Sequence, residues 1–311
     1  MMNILEVKDL KKKYTDSYVV KGISFEVNKG EILGLLGPNG AGKSTTINIL
    51  STALKATDGK IKFMDKEILD NKLQYKASLG IVPQSLAIFE NIPAIENVKY
   101  FARFYGLKGA ELKRKAEEAL EMVGLSDRAK DLPKTYSGGM KRRLNIACAL
   151  AHEPKLLILD EPTVGIDPQS RNHILESIKT LRERGTTIIY TTHYMEEVEA
   201  LCDRVLIMDQ GLIIAEGTLK ELKKSVEESA VYNISGEGIK NVDKTIFDSV
   251  EGINKVEVSD SLIVSTKKDC SNLDKIILKL INEKVKIKNI VTEEQNLETI
   301  FLNITGRNLR D

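Results

Sequence analysis

The chain has 311 residues, about twice the ~150 of a typical domain, so two domains are expected. With 42% hydrophobic and 29% charged residues, its composition suits a globular protein with a real core and excludes a disordered or fibrous one. Lys and Arg number 46 against 45 Asp and Glu, a net charge of +1, which excludes a broadly basic sleeve for nucleic acid. No stretch approaches the ~18 consecutive apolar residues of a membrane span. Glu6 and Asp9 interrupt the place where a signal peptide needs apolar residues. Cys148, Cys202 and Cys270 are odd in number and far apart, which argues against a disulfide framework or zinc site and for a reducing cytosol. A soluble intracellular protein is the expectation.

In chain order, residues 4–7, 19–27 and 31–36 read as strands, with Asn28-Lys29-Gly30 as a turn before the last. A glycine-rich loop follows, then a helix from Lys43 to about Leu54. Residues 59–64 and 79–82 are further strands. From Ala94 to about Leu150 the pattern is helical, and residues 111–122 carry apolar positions at helical spacing. Residues 156–159, 187–190 and 205–208 are short runs with few charges, as suits a sheet covered on both faces, and helices at 169–184 and 195–201 separate them. Such alternation with a helical block inserted midway is an α/β nucleotide-binding architecture. Beyond a charged helix or linker at residues 219–224 the tail reads strand (230–234), helix (242–250), strand (253–258), strand (261–265), helix (273–283), strand (287–292) and a last amphipathic helix (297–304). That β-α-β-β-α-β order is the ferredoxin-like split motif.

Gly37-Pro38-Asn39-Gly40-Ala41-Gly42-Lys43-Ser44-Thr45 has the spacing G-x-x-x-x-G-K-[ST] and sits between a strand and a helix. Its glycines let successive backbone N–H groups curl around phosphate oxygens at a helix N-terminus. Lys43 adds a full charge toward the outer phosphates, and Ser44 a hydroxyl ligand for Mg²⁺. Residues 156–161 supply the partner, an apolar strand ending in Asp160 and Glu161. Asp160 is placed to hold the Mg²⁺ shell, and Glu161 to polarise an attacking water as general base. The two segments together indicate Mg²⁺-dependent binding and hydrolysis of a nucleoside triphosphate.

Tyr136-Ser137-Gly138-Gly139-Met140 selects among proteins that share those motifs. Ser137 lies 94 residues after Lys43 and 23 before Asp160, and it is placed to cap a helix whose start Gly138 and Gly139 leave free of bulk, a second anion-binding terminus. Segment and spacing resemble the signature of ABC-type ATPases over roughly residues 1–220. The resemblance implies two copies facing head to tail, each ATP lying between the P-loop of one and the signature of the other. It implies that Gln84 is the Q-loop glutamine, near Mg²⁺, the γ-phosphate and the transporter-facing surface. By the same resemblance His193 is the switch histidine on the γ-phosphate, Asp167 in the D-loop links the two sites, and Tyr14 stacks on adenine, with Tyr18 a nearby competitor. Met140 and Tyr136 depart from the family's usual glutamine and leucine, while Ser137 and both glycines, read as facing phosphate, are intact. Lys141–Arg143 is open to reading as a nucleic-acid patch, with a solvated helix face favoured, and the same holds for Lys11–Lys13; His152 and His173 match no motif.

The closing residues 298–307 and the Tyr-Ser-Gly-Gly-Met variant resemble ATPase subunits of type 2 ABC exporters, the drug- and antibiotic-resistance kind. The implied organisation is an ATP-binding domain at 1–222 with a helical subdomain at about 88–150, and an accessory α+β domain at 228–311. The implied function is ATP hydrolysis that drives export through separate integral-membrane subunits. The subunit would be cytoplasmic, at the inner face of the membrane through that partner. Residues 225–311 are open to two readings, a dimer-stabilising module or a small-molecule sensor. The alternative for the whole chain is a soluble ABC-type ATPase acting on ribosomes or DNA. One cassette, no long heptad tract and a near-neutral charge weigh against it.

Overall fold

The computed structural model describes residues 2–226, 229–267, 270, 272–293 and 300–301. The chain divides into two compact units, Met1–Thr218 and Leu219–Asn308. The first opens with the hairpin β1 (Asn3–Tyr14) and β2 (Ser17–Asn28), followed by β3 (Ile32–Leu36), α1 (Lys43–Leu50), β4 (Asp58–Phe63), β5 (Lys66–Glu67), α2 (Lys72–Ala77) and β6 (Leu79–Val82). β1 runs well past the expected strand because it stays paired with β2 and β4 on both sides of a bulge at Asp9, φ 47°. The shift keeps Leu10 inward, in line with Leu5 and Val7, and leaves Asp9 outside. α1 stops at Leu50 rather than Leu54, since Thr52 at φ 61° turns the chain out of the helix.

Next come α3 (Ala94–Phe104), α4 (Gly109–Met122), α5 (Gly138–Leu150), β7 (Leu156–Asp160), α6 (Pro168–Glu183), β8 (Thr187–Thr192), α7 (Met195–Leu201), β9 (Arg204–Asp209) and β10 (Leu212–Gly217). β3, β7 and β8 are buried at every position, the pattern of strands covered on both faces. They lie in a six-stranded sheet of order β10-β9-β3-β8-β7-β6, parallel except for β10 at its edge. An antiparallel sheet, β2-β1-β4-β5, shares its core with this sheet through Ile47, Ile49 and Leu50 of α1. α3, α4 and α5 pack on one another through small and branched residues such as Ala102, Ala116 and Leu144.

The second unit contains α8 (Leu219–Val226), β11 (Ser229–Glu237), β12 (Ile253–Val258), β13 (Leu262–Lys267), α9 (Leu273–Asn282) and β14 (Lys286–Glu293). Its sheet, β12-β13-β11-β14, is antiparallel throughout, and Ile276 and Leu280 of α9 join Ile234, Leu262 and Val264 in its core. The helix expected at 242–250 is instead a 3₁₀ turn, Lys244–Phe247, preceded by another at Ile239–Asn241. The Asp243 carboxylate accepts from Thr245 N at 3.0 Å, a local bond that competes with helix in so short a segment. Ile300 and Phe301 are helical and fully buried, but the other residues of the expected 297–304 helix and of the 298–307 resemblance lie outside the described residues. No helix among the described residues is long and apolar enough to cross a membrane.

Candidate active site

Strand register alone brings the chemical segments together. Leu36 pairs with Thr192, Asp160 with Thr191, and Val82 with Leu159, so β3, β8, β7 and β6 end at one edge of the sheet. The loops leaving that edge carry the phosphate motif, His193, Glu161 and Gln84, and the carboxyl edge of a parallel sheet is where such folds bind ligands.

In the phosphate loop, Gly42 adopts φ 103°, a conformation a side chain would strain, so that α1 can start at once with Lys43. Asn39, Gly40 and Ser44 are exposed, Thr45 is half-buried, and Gly37, Ala41, Gly42 and Lys43 are buried. The Lys43 ammonium donates to the Gly37 and Pro38 carbonyls at 2.7 and 3.1 Å and lies 3.7 Å from Glu161 Oε1. Glu161 is the hub of the group. Gln84 Nε2 donates to its Oε2 at 3.0 Å, and His193 Nδ1 lies 3.5 Å from its Oε1. Asp160 beside it accepts from Thr191 Oγ1 at 2.6 Å and from the Ser44 hydroxyl. Burial holds the Asp160 carboxyl above its ordinary range and the Lys43 ammonium below its own. A ligand that adds positive charge at Asp160 and negative charge at Lys43 would relieve both.

Glu161 also occupies an unusual backbone state, φ 46°, in the left-handed region that costs a non-glycine residue about 1–2 kcal/mol. Two bonds hold it there: its N–H donates to Thr191 O at 3.1 Å and to Thr191 Oγ1 at 2.9 Å. Strain fixed this firmly is characteristic of functional positions. Held so, its carboxylate meets Lys43, Gln84 and His193.

The signature and D-loop residues form a second group. Ser137 caps α5 by accepting from Met140 N at 3.2 Å, and Asp167 caps α6 by accepting from Ser170 N at 2.9 Å. Ser137, Gly138 and Asp167 are exposed, whereas Gly139 is buried against the start of α6. A Cβ on Gly138 would meet nothing within 4 Å, but one on Gly139 would lie 2.2 Å from Ser170 Cβ, so Gly139 also lets α5 pack against the start of α6. Among the described residues, no hydrogen bond or ion pair joins Ser137, Gly138, Gly139 or Asp167 to Lys43, Asp160 or Glu161. Tyr14 ends β1 and is 43% exposed; Tyr18, across the turn, is 45% exposed. β2, which carries Tyr18, abuts the phosphate loop, where the Val19 carbonyl lies 3.0 Å from a Cβ placed on Gly42.

Two contributors were not visible in the sequence. Thr191 serves both Asp160 and Glu161 through one hydroxyl. Arg142 overturns the reading of residues 141–143 as a solvated face: it is 5% exposed, and its guanidinium donates to the Pro83 and Gln84 carbonyls at 2.8 and 2.5 Å, anchoring the backbone that carries Gln84. Arg143 likewise bonds the Val123 and Gly124 carbonyls. An abundance of basic residues beside a helix start gives no sign of such distant carbonyl partners. His152, for which no motif was found, stacks on Tyr105 at 3.5 Å, and burial lowers its pKa to about 4.

A family model described as ABC transporter matches residues 20–164. The linearmycin resistance ATP-binding protein LnrL of Bacillus subtilis (strain 168) is 46% identical over 312 residues, covering 99% of this chain and 100% of that protein. The Nod factor export ATP-binding protein I of Cupriavidus pinatubonensis is 35% identical, over 99% of this chain and 92% of its own length. Among solved structures, a dimeric post-hydrolysis state of the ATP-binding cassette MJ0796 bound to ADP and Pi superposes with a TM-score of 0.63 at 28% identity, covering 69% of this chain and 98% of that one. Likeness to transporter subunits over nearly the whole chain gives no support to the ribosome- or DNA-acting alternative. With the phosphate loop, the paired acidic residues and the signature segment in place, the chain belongs to the ABC transporter family as an ATP-binding, ATP-hydrolysing subunit.

Proposed function

We propose that the chain powers an exporter: two copies close on ATP and Mg²⁺, and hydrolysis reopens them. The observation that carries this reading is the convergence of Gln84, His193 and Lys43 on Glu161, at the sheet edge that also bears the phosphate loop. The backbone N–H groups of residues 39–45 and the Lys43 ammonium hold the phosphates, and the exposed Tyr14 ring stacks on adenine. Glu161 takes the proton of the attacking water, while Gln84 and His193 orient its two carboxylate oxygens and reach the γ-phosphate. Ser44 and Asp160 offer a hydroxyl and a carboxylate, hard oxygen donors that fit Mg²⁺. When bound, Mg²⁺ neutralises charge developing on the phosphate oxygens. Ser137, Gly138 and Gly139 of a second copy complete the site, with Asp167 at the junction. Loss of the γ-phosphate removes what favours the closed pair, and the copies part.

Export rather than import is supported by the full-length likeness to resistance and export ATP-binding proteins. Cytoplasmic placement at the inner face of the membrane is consistent with a subunit that consumes ATP and works through partners that span the membrane. Phe89, five residues after Gln84, and Tyr100 and Phe104 of α3 are 44%, 41% and 72% exposed and pack edge to face at 4.9 and 5.2 Å. A cluster of this kind on a surface suits a protein partner, here the membrane subunits. The antiparallel order β12-β13-β11-β14 supports a ferredoxin-like reading of the accessory unit. Co-purification tests the proposal: the chain should bring down a polypeptide with several apolar spans, and Phe104→Asp should lose it. Retention by the variant, or hydrolysis indifferent to the membrane subunits, would contradict it.

A further inference from the structure

Glu197, in the first turn of α7, is a carboxylate only 1% exposed that takes no part in the chemistry described above. Its Oε2 accepts from Tyr190 OH and Thr192 Oγ1, each at 2.8 Å, and its Oε1 lies 3.3 Å from Arg171 Nε. Arg171 belongs to the first turn of α6, where its N–H donates to the Asp167 carbonyl at 2.9 Å. The Arg171 guanidinium also lies over the Tyr194 ring at 4.6 Å, and that ring is 4.2 Å from the ring of His193. Thr192 Oγ1 in turn accepts from Tyr194 N at 3.0 Å. One buried carboxylate thus grips the residue before His193 and, through Arg171, the residue after it.

A buried charge is expensive to desolvate, and an apolar side chain of similar size would generally serve the fold as well or better. The cost is understandable if the charge fixes a geometry. We propose that Glu197 is a positioning residue for hydrolysis: it sets His193 against Glu161 and ties that setting to the start of α6, where Asp167 meets the second copy. A D-loop displaced when the copies part would pull on Arg171, and Arg171 on Glu197 and the His193 loop. Hydrolysis is thereby tied to the closed pair. The inference rests on the roles of His193 and Glu161 proposed above.

Glu197→Gln keeps the size and one acceptor oxygen but removes the charge that holds Arg171. In the full chain with Mg²⁺ and ATP, kcat should fall about tenfold or more, as misplacement near 1 Å can cost up to a hundredfold. KM for ATP should move less than about twofold, since the phosphate loop is untouched. Removing one partner of a buried ion pair also costs stability, so a kcat loss with KM held, in protein still folded at the assay temperature, is the readout that a merely structural role would not give. In a His193→Ala background the same substitution should add no further loss, because its effect passes through His193. If Glu197→Gln folds poorly, Arg171→Met, at a side chain 30% exposed, should give the same kcat loss and the same dependence on His193. A slow His193→Ala beside a full-rate Glu197→Gln overturns the inference alone, as do losses that multiply in the double variant. A full-rate His193→Ala overturns the role of His193 and the inference with it.

Discussion

Gly138 and Gly139 are neighbours in sequence, yet alanine should act on them in opposite ways. At Gly139 the added Cβ would sit 2.1 Å from Ser170 Oγ and 2.2 Å from Ser170 Cβ. Carbon atoms pack at about 3.5–4.0 Å, so α5 and the start of α6 would have to separate by roughly 1 Å or more. Overpacking of this kind costs about 1–3 kcal/mol. In a unit of this size that lowers the melting temperature by roughly 2–12 °C. At Gly138 nothing lies within 4 Å, so Gly138→Ala should melt unchanged or slightly higher, by up to about 1 kcal/mol of lost unfolded-state entropy. That open space is where the second copy's nucleotide would approach, so Gly138→Ala should still slow hydrolysis about tenfold or more. Thermal melts and steady-state phosphate release on the same two preparations give both quantities. A Gly139→Ala variant that melts like the parent would refute the packing argument, and a full-rate Gly138→Ala would refute the placement of phosphate.

Lys43→Ala removes the buried ammonium and should weaken ATP binding about tenfold or more and abolish hydrolysis, as nucleotide titration and phosphate release will read. Asp160→Asn keeps an acceptor for Thr191 but loses the charge; the Mg²⁺ concentration for half-maximal hydrolysis should rise about tenfold or more, and an unmoved Mg²⁺ titration would remove Asp160 from the metal shell. Tyr14→Ala should weaken ATP by about 0.5–1.5 kcal/mol, up to roughly tenfold in Kd, and Tyr18→Ala should not; the reverse outcome would move the adenine contact to Tyr18.

What was legible in the sequence was what short stretches encode. The apolar runs that become β3, β7 and β8 mark a covered parallel sheet, and residues 37–45 carry their own strand–loop–helix context. Once the sheet is assumed, the meeting of Gln84, Asp160, Glu161 and His193 follows, because each stands at a strand end or just past one. Contacts made at long range were not legible. Nothing near Arg142 says that it will seek the carbonyls of Pro83 and Gln84, so it looked like one of three solvated bases. The turned backbone of Glu161 depends on Thr191, thirty residues away, and has no local signature. The buried face of Gly139 exists only because α6 starts against it. Element ends were misjudged for a related reason. The length of β1 is set by pairing with β2 and β4 rather than by its lysine-rich sequence, and residues 242–250 lose helix to a side-chain bond from Asp243.

The central claim is that the reaction centre is completed by a second copy. It is tested most directly by the mass of Glu161→Gln in solution with Mg²⁺ and ATP, measured by light scattering across protein concentrations. With its general base disabled the variant should hold unspent nucleotide and run at twice the 34.7 kDa of one chain, returning to a single chain when ATP is withdrawn or exchanged for ADP. A variant that stays at one chain's mass at every concentration, beside a parent whose rate per molecule does not change on dilution, would contradict it.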